Sequence, residues 1–364
     1  MVIVCDCKYR SALVAIRSFY KYDQDIIAVT TDKDPNPPAF SSKFVNCKYV
    51  FSSNPDKYKE QLLQLCNQLN MPIIFPSGNF TLNVLSENKN DFLKTARFIA
   101  SSPSTLNKFN DKKWVKEQAK NHSINVPRLY SINDNITFPV VVKLFCGEKF
   151  NLKAKDRYKI AHNREELEKA YSYFLQFDNN ILIEEYISGA GVGVSVLLDN
   201  NSTFVTCFCH KRLIEYPIDG GPSTCLETFY DQKLVESVKS FFESLRFCGI
   251  AMAEFKETEN GYYLLEINPR VWGSFSATHK ANSDYIVSYI TASTAEKINV
   301  GSKYSINKKI KFFRGVCMSF LSYLKRGNII SSLKTFLVIL NPFIPDATFS
   351  FTDFKASIKD LLRR

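Results

Sequence analysis

The stretch that decides the fold is Ala251-Met252-Ala253-Glu254-Phe255, then a turn at Asn260-Gly261, then Tyr262-Tyr263-Leu264-Leu265-Glu266-Ile267-Asn268-Pro269-Arg270. An apolar strand runs into a lone carboxylate. A second strand delivers another carboxylate, an amide and an arginine. Side chains alternate along a strand, so Glu266 and Asn268 share a face. Glu254 joins them only if it pairs with Glu266. A two-residue Asn260-Gly261 turn would pair it with Ile267, on the wrong face. A three-residue loop from Glu259 to Gly261 brings Glu254 opposite Glu266, with Gly261 in the left-handed conformation. The expectation is therefore an odd-length loop.

In that register Glu254, Glu266 and Asn268 form an oxygen-rich site. It suits Mg²⁺, with Mn²⁺ as the alternative, because Mg²⁺ takes few protein oxygens and keeps positions for phosphates. Arg270 beside it suits a phosphoryl or acyl-phosphate group, since its planar fork donates two parallel hydrogen bonds. The competing reading is an ordinary exposed hairpin whose acidic residues fall there by chance.

Around this hairpin the chain has 364 residues, 45% of them hydrophobic, enough to bury a sizeable core in two or three domains. The formal charge of +11 is spread along the chain with a mild excess in the C-terminal tail. It admits an anionic nucleotide substrate, a nucleic acid or an anionic surface. No basic block is dense enough to favour nucleic acid, and none is expected as a partner. Met1-Val2-Ile3-Val4-Cys5-Asp6 lacks the basic and long apolar regions of a signal peptide. A cytoplasmic location with ten reduced, mostly buried cysteines is expected. Cys5/Cys7 and Cys207/Cys209 are spaced too closely for a structural zinc site. No apolar run reaches membrane-spanning length.

Upstream, short apolar runs at 2–5, 25–30, 48–51 and 72–76 alternate with helical patterns at 11–20 and 56–69, which reads as a parallel, doubly wound sheet. No glycine-rich dinucleotide fingerprint follows the first strand. Helices are read at 111–121, 163–174 and 231–246, strands at 138–143 and 181–187, and a hairpin around Asn200-Asn201. The tail from about Lys308 is basic and apolar. It reads either as a peripheral membrane contact or as a helical subdomain packed on the core. The second is the expectation, because apolar helix faces normally pack against their own core.

Four separated segments together resemble the ATP-grasp superfamily of carboxylate–amine ligases. They are Asn110-Asp111-Lys112-Lys113, Phe138-Pro139-Val140-Val141-Val142-Lys143, Ile183-Glu184-Glu185-Tyr186-Ile187-Ser188-Gly189, and Glu254 with Glu266-Ile267-Asn268-Pro269-Arg270. The run Phe208 to Pro217 and the loop Gly220-Gly221-Pro222-Ser223-Thr224 resemble the subgroup related to carbamoyl-phosphate synthase and biotin carboxylase. The resemblance implies a pre-ATP-grasp α/β domain over 1–100, a two-subdomain ATP-grasp domain over 101–305 with a nucleotide hinge near 184–189, and a basic, mostly helical extension over 306–364.

It also implies an ATP- and Mg²⁺-dependent ligase that joins a small-molecule carboxylate to an amine through an acyl phosphate. In that scheme Lys112 and Lys143 reach the phosphates. Backbone groups of Glu185, Tyr186 and Ile187 line the adenine edge, and Glu184 takes its amino group. Glu254, Glu266 and Asn268 hold Mg²⁺, and Arg270 holds the transferred phosphoryl group. His210, Arg212, Ser223 and Thr224 are candidate substrate contacts, with His210 either an acid–base or an orienting donor. Two departures stand out. Gly189 to Gly193 offers no carboxylate for ribose, and Gly147-Glu148-Lys149 has one glycine, which leaves closure over the phosphates to Lys149. Activation of bicarbonate, or a catalytically degenerate nucleotide-binding scaffold, are the alternative functions.

Overall fold

The computed structural model describes residues 1–363 except 151, 153–155, 219 and 295–300, and leaves out the side chains of 148 and 149. The Lys149 side chain, expected at the phosphates, thus lies outside the described residues.

Four short apolar strands, β1 (Val2–Cys5), β2 (Ile26–Thr31), β3 (Cys47–Phe51) and β4 (Ile73–Pro76), form a parallel sheet in the order β3-β2-β1-β4. Alternation loads both faces. Val2, Val4 and Ala28 pack with Ala12, Ile16 and Phe19 of the helix Arg10–Tyr20. Ile3, Cys5, Ile27 and Val29 pack with Tyr58, Leu62 and Leu65 of the helix Pro55–Asn67. Helices on both faces are what a parallel sheet requires.

A second sheet holds β5 (Leu129–Tyr130), β6 (Val140–Leu144), β7 (Tyr158–Ala161) and β8 (Ile181–Glu185) in the order β5-β8-β6-β7, all antiparallel. Val140, Val142, Leu144 and Ile183 face the helix Arg164–Leu175 through Leu167, Ala170 and Phe174. Lys143 and Glu184 therefore lie on the opposite face. The helix begins at Asn163, whose side chain accepts from the Glu166 amide, as the Asn163/Glu166 spacing leads one to expect.

The largest sheet contains β9 (Ala190–Leu198), β10 (Phe204–Glu215), β11 (Ser223–Thr228), β12 (Gly249–Thr258), β13 (Gly261–Asn268) and β14 (Lys309–Lys311), in the order β13-β12-β9-β10-β11-β14. One face packs on the helix Gln232–Ser244 through Val194, Val196, Ala251 and Ala253 against Val235, Val238 and Phe242. The other face is apolar at one end, where Phe208 and Met252 meet Trp272, Phe275 and Tyr285. Further along the same strands it turns polar, and the candidate site begins there.

The tail departs from a single extension. Lys309–Lys311 is an edge strand of the largest sheet, so a boundary at 305/306 falls just before a strand that belongs to that sheet. The helix Phe313–Lys325 packs on the sheet, with Thr224 Oγ1 at 3.1 Å from Ser319 Oγ. The last helix, Phe354–Leu362, docks on the first sheet's layer instead. There Arg17 Nε donates to Asp353 Oδ2 at 2.9 Å, and Ser42 Oγ donates to the same oxygen at 2.8 Å. The helix Ile329–Leu340 buries its polar residues Ser332 and Thr335 and exposes its apolar ones, contrary to the expected packing of apolar tail faces on the core.

Candidate active site between two sheets

Glu254 pairs with Glu266, as the oxygen-site reading requires, but the chain reaches that register by another route. Thr258 pairs with Gly261, so only Glu259 and Asn260 form the turn. Continued inward, that pairing would set Glu254 against Leu265. A bulge between Phe255 and Glu254 makes Leu265 the extra residue and restores the pair. The loop is thus even in length, and the expected odd loop is corrected. Gly261 does take a positive φ, +103°.

The bulge has a partner. Lys116 is fully buried on the helix Lys112–Asn121, and its Nζ donates to the carbonyl of Leu265. The same Nζ lies 3.1 Å from Glu184 Oε2, and Lys143 Nζ lies 2.5 Å from Glu184 Oε1. One turn earlier on the helix, Lys112 Nζ is 3.6 Å from Glu266 Oε2. A chain of alternating charges therefore joins β6 and β8 of one sheet to β13 of the other across a single helix. That helix starts where it does because Asp111 Oδ1 accepts from the amides of Lys113 and Trp114.

Protonation states follow. Burial opposes charge on Glu266, but Lys112, Lys143, Lys116 and Arg212 outweigh it and bring its carboxyl down to about 2. Burial lowers Lys116 to about 8 against the pull of Glu184. Burial opposes charge on Glu184 as well, and Lys116 and Lys143 still hold its carboxyl below the usual range. The Glu184 carboxylate thus lies between two lysines and is not directed outward for an amino group, which corrects the role the resemblance implied for it. Lys116 was missed. Its i+4 spacing from Lys112 puts both on one helical face, a signal the sequence does carry.

The polar end of the largest sheet is built around two glycines. On β9, Gly193 pairs with both Glu254 and His210. A Cβ on Gly193 would sit 2.4 Å from the His210 ring, and one on Gly191 would sit 2.7 Å from Arg212 Cδ. The glycine-rich run without a ribose carboxylate thus clears a path for His210 and Arg212 to lie across β9. Arg212 Nη2 donates to Glu254 Oε2, and Arg212 Nη1 lies 3.6 Å from Glu215 Oε1. Asn268 Nδ2 donates to Glu254 Oε1 at 2.8 Å, and Arg270 Nη2 donates to Asn268 Oδ1 at 3.1 Å. Glu254, Glu266, Asn268, Arg270 and Arg212 are thereby brought together.

Among the described residues no three His, Cys, Asp or Glu side chains converge. Two carboxylates and one amide oxygen are the donors here. This set fits a hard cation that completes its shell with phosphate oxygens or water, and it fits no cation that needs an all-protein cage.

His210 is buried, with Nε2 at 3.1 Å from Ser274 Oγ. Burial and the neighbouring Arg212 lower it to about 3, which keeps the imidazole neutral. Ser223 opens β11 opposite Glu215. Thr224 is buried and bonded to Ser319, so it braces the helix Phe313–Lys325 and does not face a substrate, a second correction. Trp272 is core, packed on Phe208, Phe275 and Tyr285. Along the hinge, the Glu185 amide donates to the Arg128 carbonyl at 2.8 Å and the Tyr186 amide to the Pro139 carbonyl at 3.2 Å, while the Tyr186 side chain is exposed and Ile187 is half-buried at the strand end.

Residues 177–311 match the family described as ATP-grasp in the biosynthetic pathway with Ter operon. A 117-residue segment is 28% identical to the D-alanine–D-alanine ligase of Syntrophotalea carbinolica, covering 30% of this chain and 38% of that ligase. The match thus spans well under half of that curated relative. Among solved structures, the biotin carboxylase domain of Hydrogenobacter thermophilus 2-oxoglutarate carboxylase is similar with a TM-score of 0.64 at 18% identity, over 85% of this chain and 73% of that one. The N5-carboxyaminoimidazole synthetase of Staphylococcus aureus is similar with a TM-score of 0.63 at 17% identity, over 85% and 80%. The chain therefore shares the fold of these carboxylase and synthetase structures, and its residues 177–311 carry the match to the ATP-grasp family.

Proposed function

We propose that this chain is an ATP- and Mg²⁺-dependent ligase that phosphorylates a small carboxylate to its acyl phosphate and couples it to an amine, with release of ADP and phosphate. The observation that carries the reading is the Glu254–Glu266 pair facing the helix lysines across the gap between the two sheets. The names of relatives support it, since one is a D-alanine–D-alanine ligase and another an N5-carboxyaminoimidazole synthetase. Mg²⁺, when bound, would supply positive charge to the phosphate oxygens.

The chain's own residues do the rest. Lys112 and Lys143 would present point charges towards the phosphates, with Lys116 setting the geometry of Lys143 through Glu184. In this reading the backbone groups of Glu185 to Ile187 that remain beside the bonded Glu185 and Tyr186 amides would line the adenine edge. Arg270, held by Asn268, would take the transferred phosphoryl group. Arg212 is the candidate partner of the substrate carboxylate, and it must share Glu254 to act so. The chemistry moves negative charge between oxygens, so positioning and charge stabilisation carry the catalysis.

Incubation with ATP, Mg²⁺ and pools of carboxylates and amines should release ADP only when both pools are present. ADP release that needs bicarbonate alone would place the chain with bicarbonate-activating enzymes, and ATP binding without turnover across the screen would make it a scaffold. A neutral His210 also has a signature. Its folded value of about 3 keeps it uncharged throughout the range from pH 5 to 8. The pH profiles of kcat/KM for the wild type and His210→Gln should then have the same shape. An inflection near pH 6.5 that disappears in the variant would refute the orienting role.

A further inference from the structure

The helix Ile329–Leu340 is turned inside out. Ile330 and Leu340 are 70% and 61% exposed, while Ser332 and Thr335 are 3% and 2% exposed. Ile329, Leu333 and Leu337 complete the outward stripe, and Phe343 follows it, almost fully exposed. Helical geometry places these residues on one face. The buried polar pair is satisfied within the helix, Ser332 Oγ to the Asn328 carbonyl at 2.8 Å and Thr335 Oγ1 to the Ser331 carbonyl at 2.8 Å.

The orientation is fixed by contacts. Lys311 on β14 donates to the carbonyls of Val338, Ile339 and Asn341, closing the helix C-terminus with a cation. Phe336 meets Phe320 of the preceding helix with ring centroids 5.6 Å apart. That preceding helix, Phe313–Lys325, adds exposed Leu321 and Leu324. A continuous apolar surface of this kind on a folded domain marks an interaction site.

Charge selects the occupant. From Ile306 to Pro345 the chain has seven basic residues, Lys308, Lys309, Lys311, Arg314, Lys325, Arg326 and Lys334, and neither Asp nor Glu. Lys325 and Arg326 are exposed in the turn between the two helices, and Lys334 is exposed beside the stripe. A second copy would bring the same cationic segment against this one, at an electrostatic cost. An anionic bilayer complements both the apolar stripe and its basic surround. No helix of the described residues is long and apolar enough to cross a membrane, and 12 residues of helix span only about 18 Å.

We propose that the helix Ile329–Leu340, with the turn at Lys325-Arg326, docks the full-length chain onto an anionic lipid surface, its apolar stripe lying in the plane of the interface. The proposal stands apart from the reaction assigned above, because none of these residues lies in the candidate active site.

Flotation of the full chain with vesicles tests it. One set contains phosphatidylcholine alone and the other about 30% phosphatidylserine, a content chosen to give a strongly negative surface. The bound fraction should be at least tenfold higher on the phosphatidylserine vesicles and should fall steeply with added salt. Ile330→Glu with Leu337→Glu should abolish flotation, and Lys325→Glu with Arg326→Glu should reduce it to the level on neutral vesicles. Circular dichroism and thermal midpoint confirm that both variants fold. Absence of flotation on both vesicle types overturns the proposal. So does sedimentation as a dimer that the Ile330→Glu, Leu337→Glu variant converts to monomer without any vesicle binding.

Discussion

Glu266→Gln is expected to lower the rate of substrate-dependent ADP release by at least about 10²–10³-fold, the usual cost of removing one preorganised electrostatic group from a reacting centre. The substitution keeps shape and removes one charge. Glu266 lies opposite Glu254 and 3.6 Å from Lys112, and no other carboxylate can take its place in that register. With Gln at 266 the donor set becomes one carboxylate and two amides, and the cation loses one of its two anionic protein ligands.

The change also has a pH signature. The Glu266 carboxyl is depressed from 4.5 to about 2 by the surrounding cations despite burial. A depressed carboxyl contributes stability that is present in full above its unfolded value and is lost as pH falls through its folded value. The variant should therefore be less stable than the wild type near neutrality, and the difference should shrink between about pH 4.5 and 2. Turnover assays with denaturation curves at several pH values check both parts. Retention of more than about a tenth of wild-type turnover would exclude Glu266 from the reacting centre.

Arg17→Ala is expected to cost about 3–5 kcal/mol of stability, because it strands a buried carboxylate. The Arg17 and Asp353 side chains are both almost completely buried. Arg17 also donates to Ser357 Oγ at 2.9 Å and to the Thr348 carbonyl. After its loss, the Asp353 carboxylate would keep, among the described residues, only the Ser42 hydroxyl and the Lys43 amide as partners. Replacing both charges, Arg17→Met with Asp353→Leu, should recover much of the loss, since an apolar pair of similar volume need not pay for desolvating ions. Urea denaturation midpoints measure this. A single-variant loss below about 1 kcal/mol would mean that the last helix is not held by this network and behaves as a detachable tail.

These two sites show where sequence was informative. The Glu254–Glu266 pairing was legible because period-two alternation and a turn signal restrict the register to few choices. The means was not legible. A two-residue turn plus a bulge at Leu265 gives the same pairing as an odd loop, and the bulge's contact comes from Lys116, 149 residues earlier in the chain. The doubly wound first sheet was legible from its apolar runs. Lys143 and Glu184 were legible as residues but not as partners, because only the pairing of β6 with β8 brings them together.

Thr224 was misread because a hydroxyl in a polar loop looks the same from sequence whether it meets a substrate or a packed helix. The Ile329–Leu340 helix was misread for a physical reason. Amphipathicity reports that one face is apolar but not which face meets the protein. Two polar residues, Ser332 and Thr335, satisfied by their own helix, were enough to reverse the expected side.

The most direct measurement follows oxygen through the reaction. Carboxylates labelled with ¹⁸O are incubated with the chain, ATP, Mg²⁺ and amines, and the phosphate released is analysed by mass spectrometry. An acyl-phosphate route predicts ADP and phosphate carrying one ¹⁸O from the carboxylate. Release of AMP and pyrophosphate, or of phosphate without label, would contradict it.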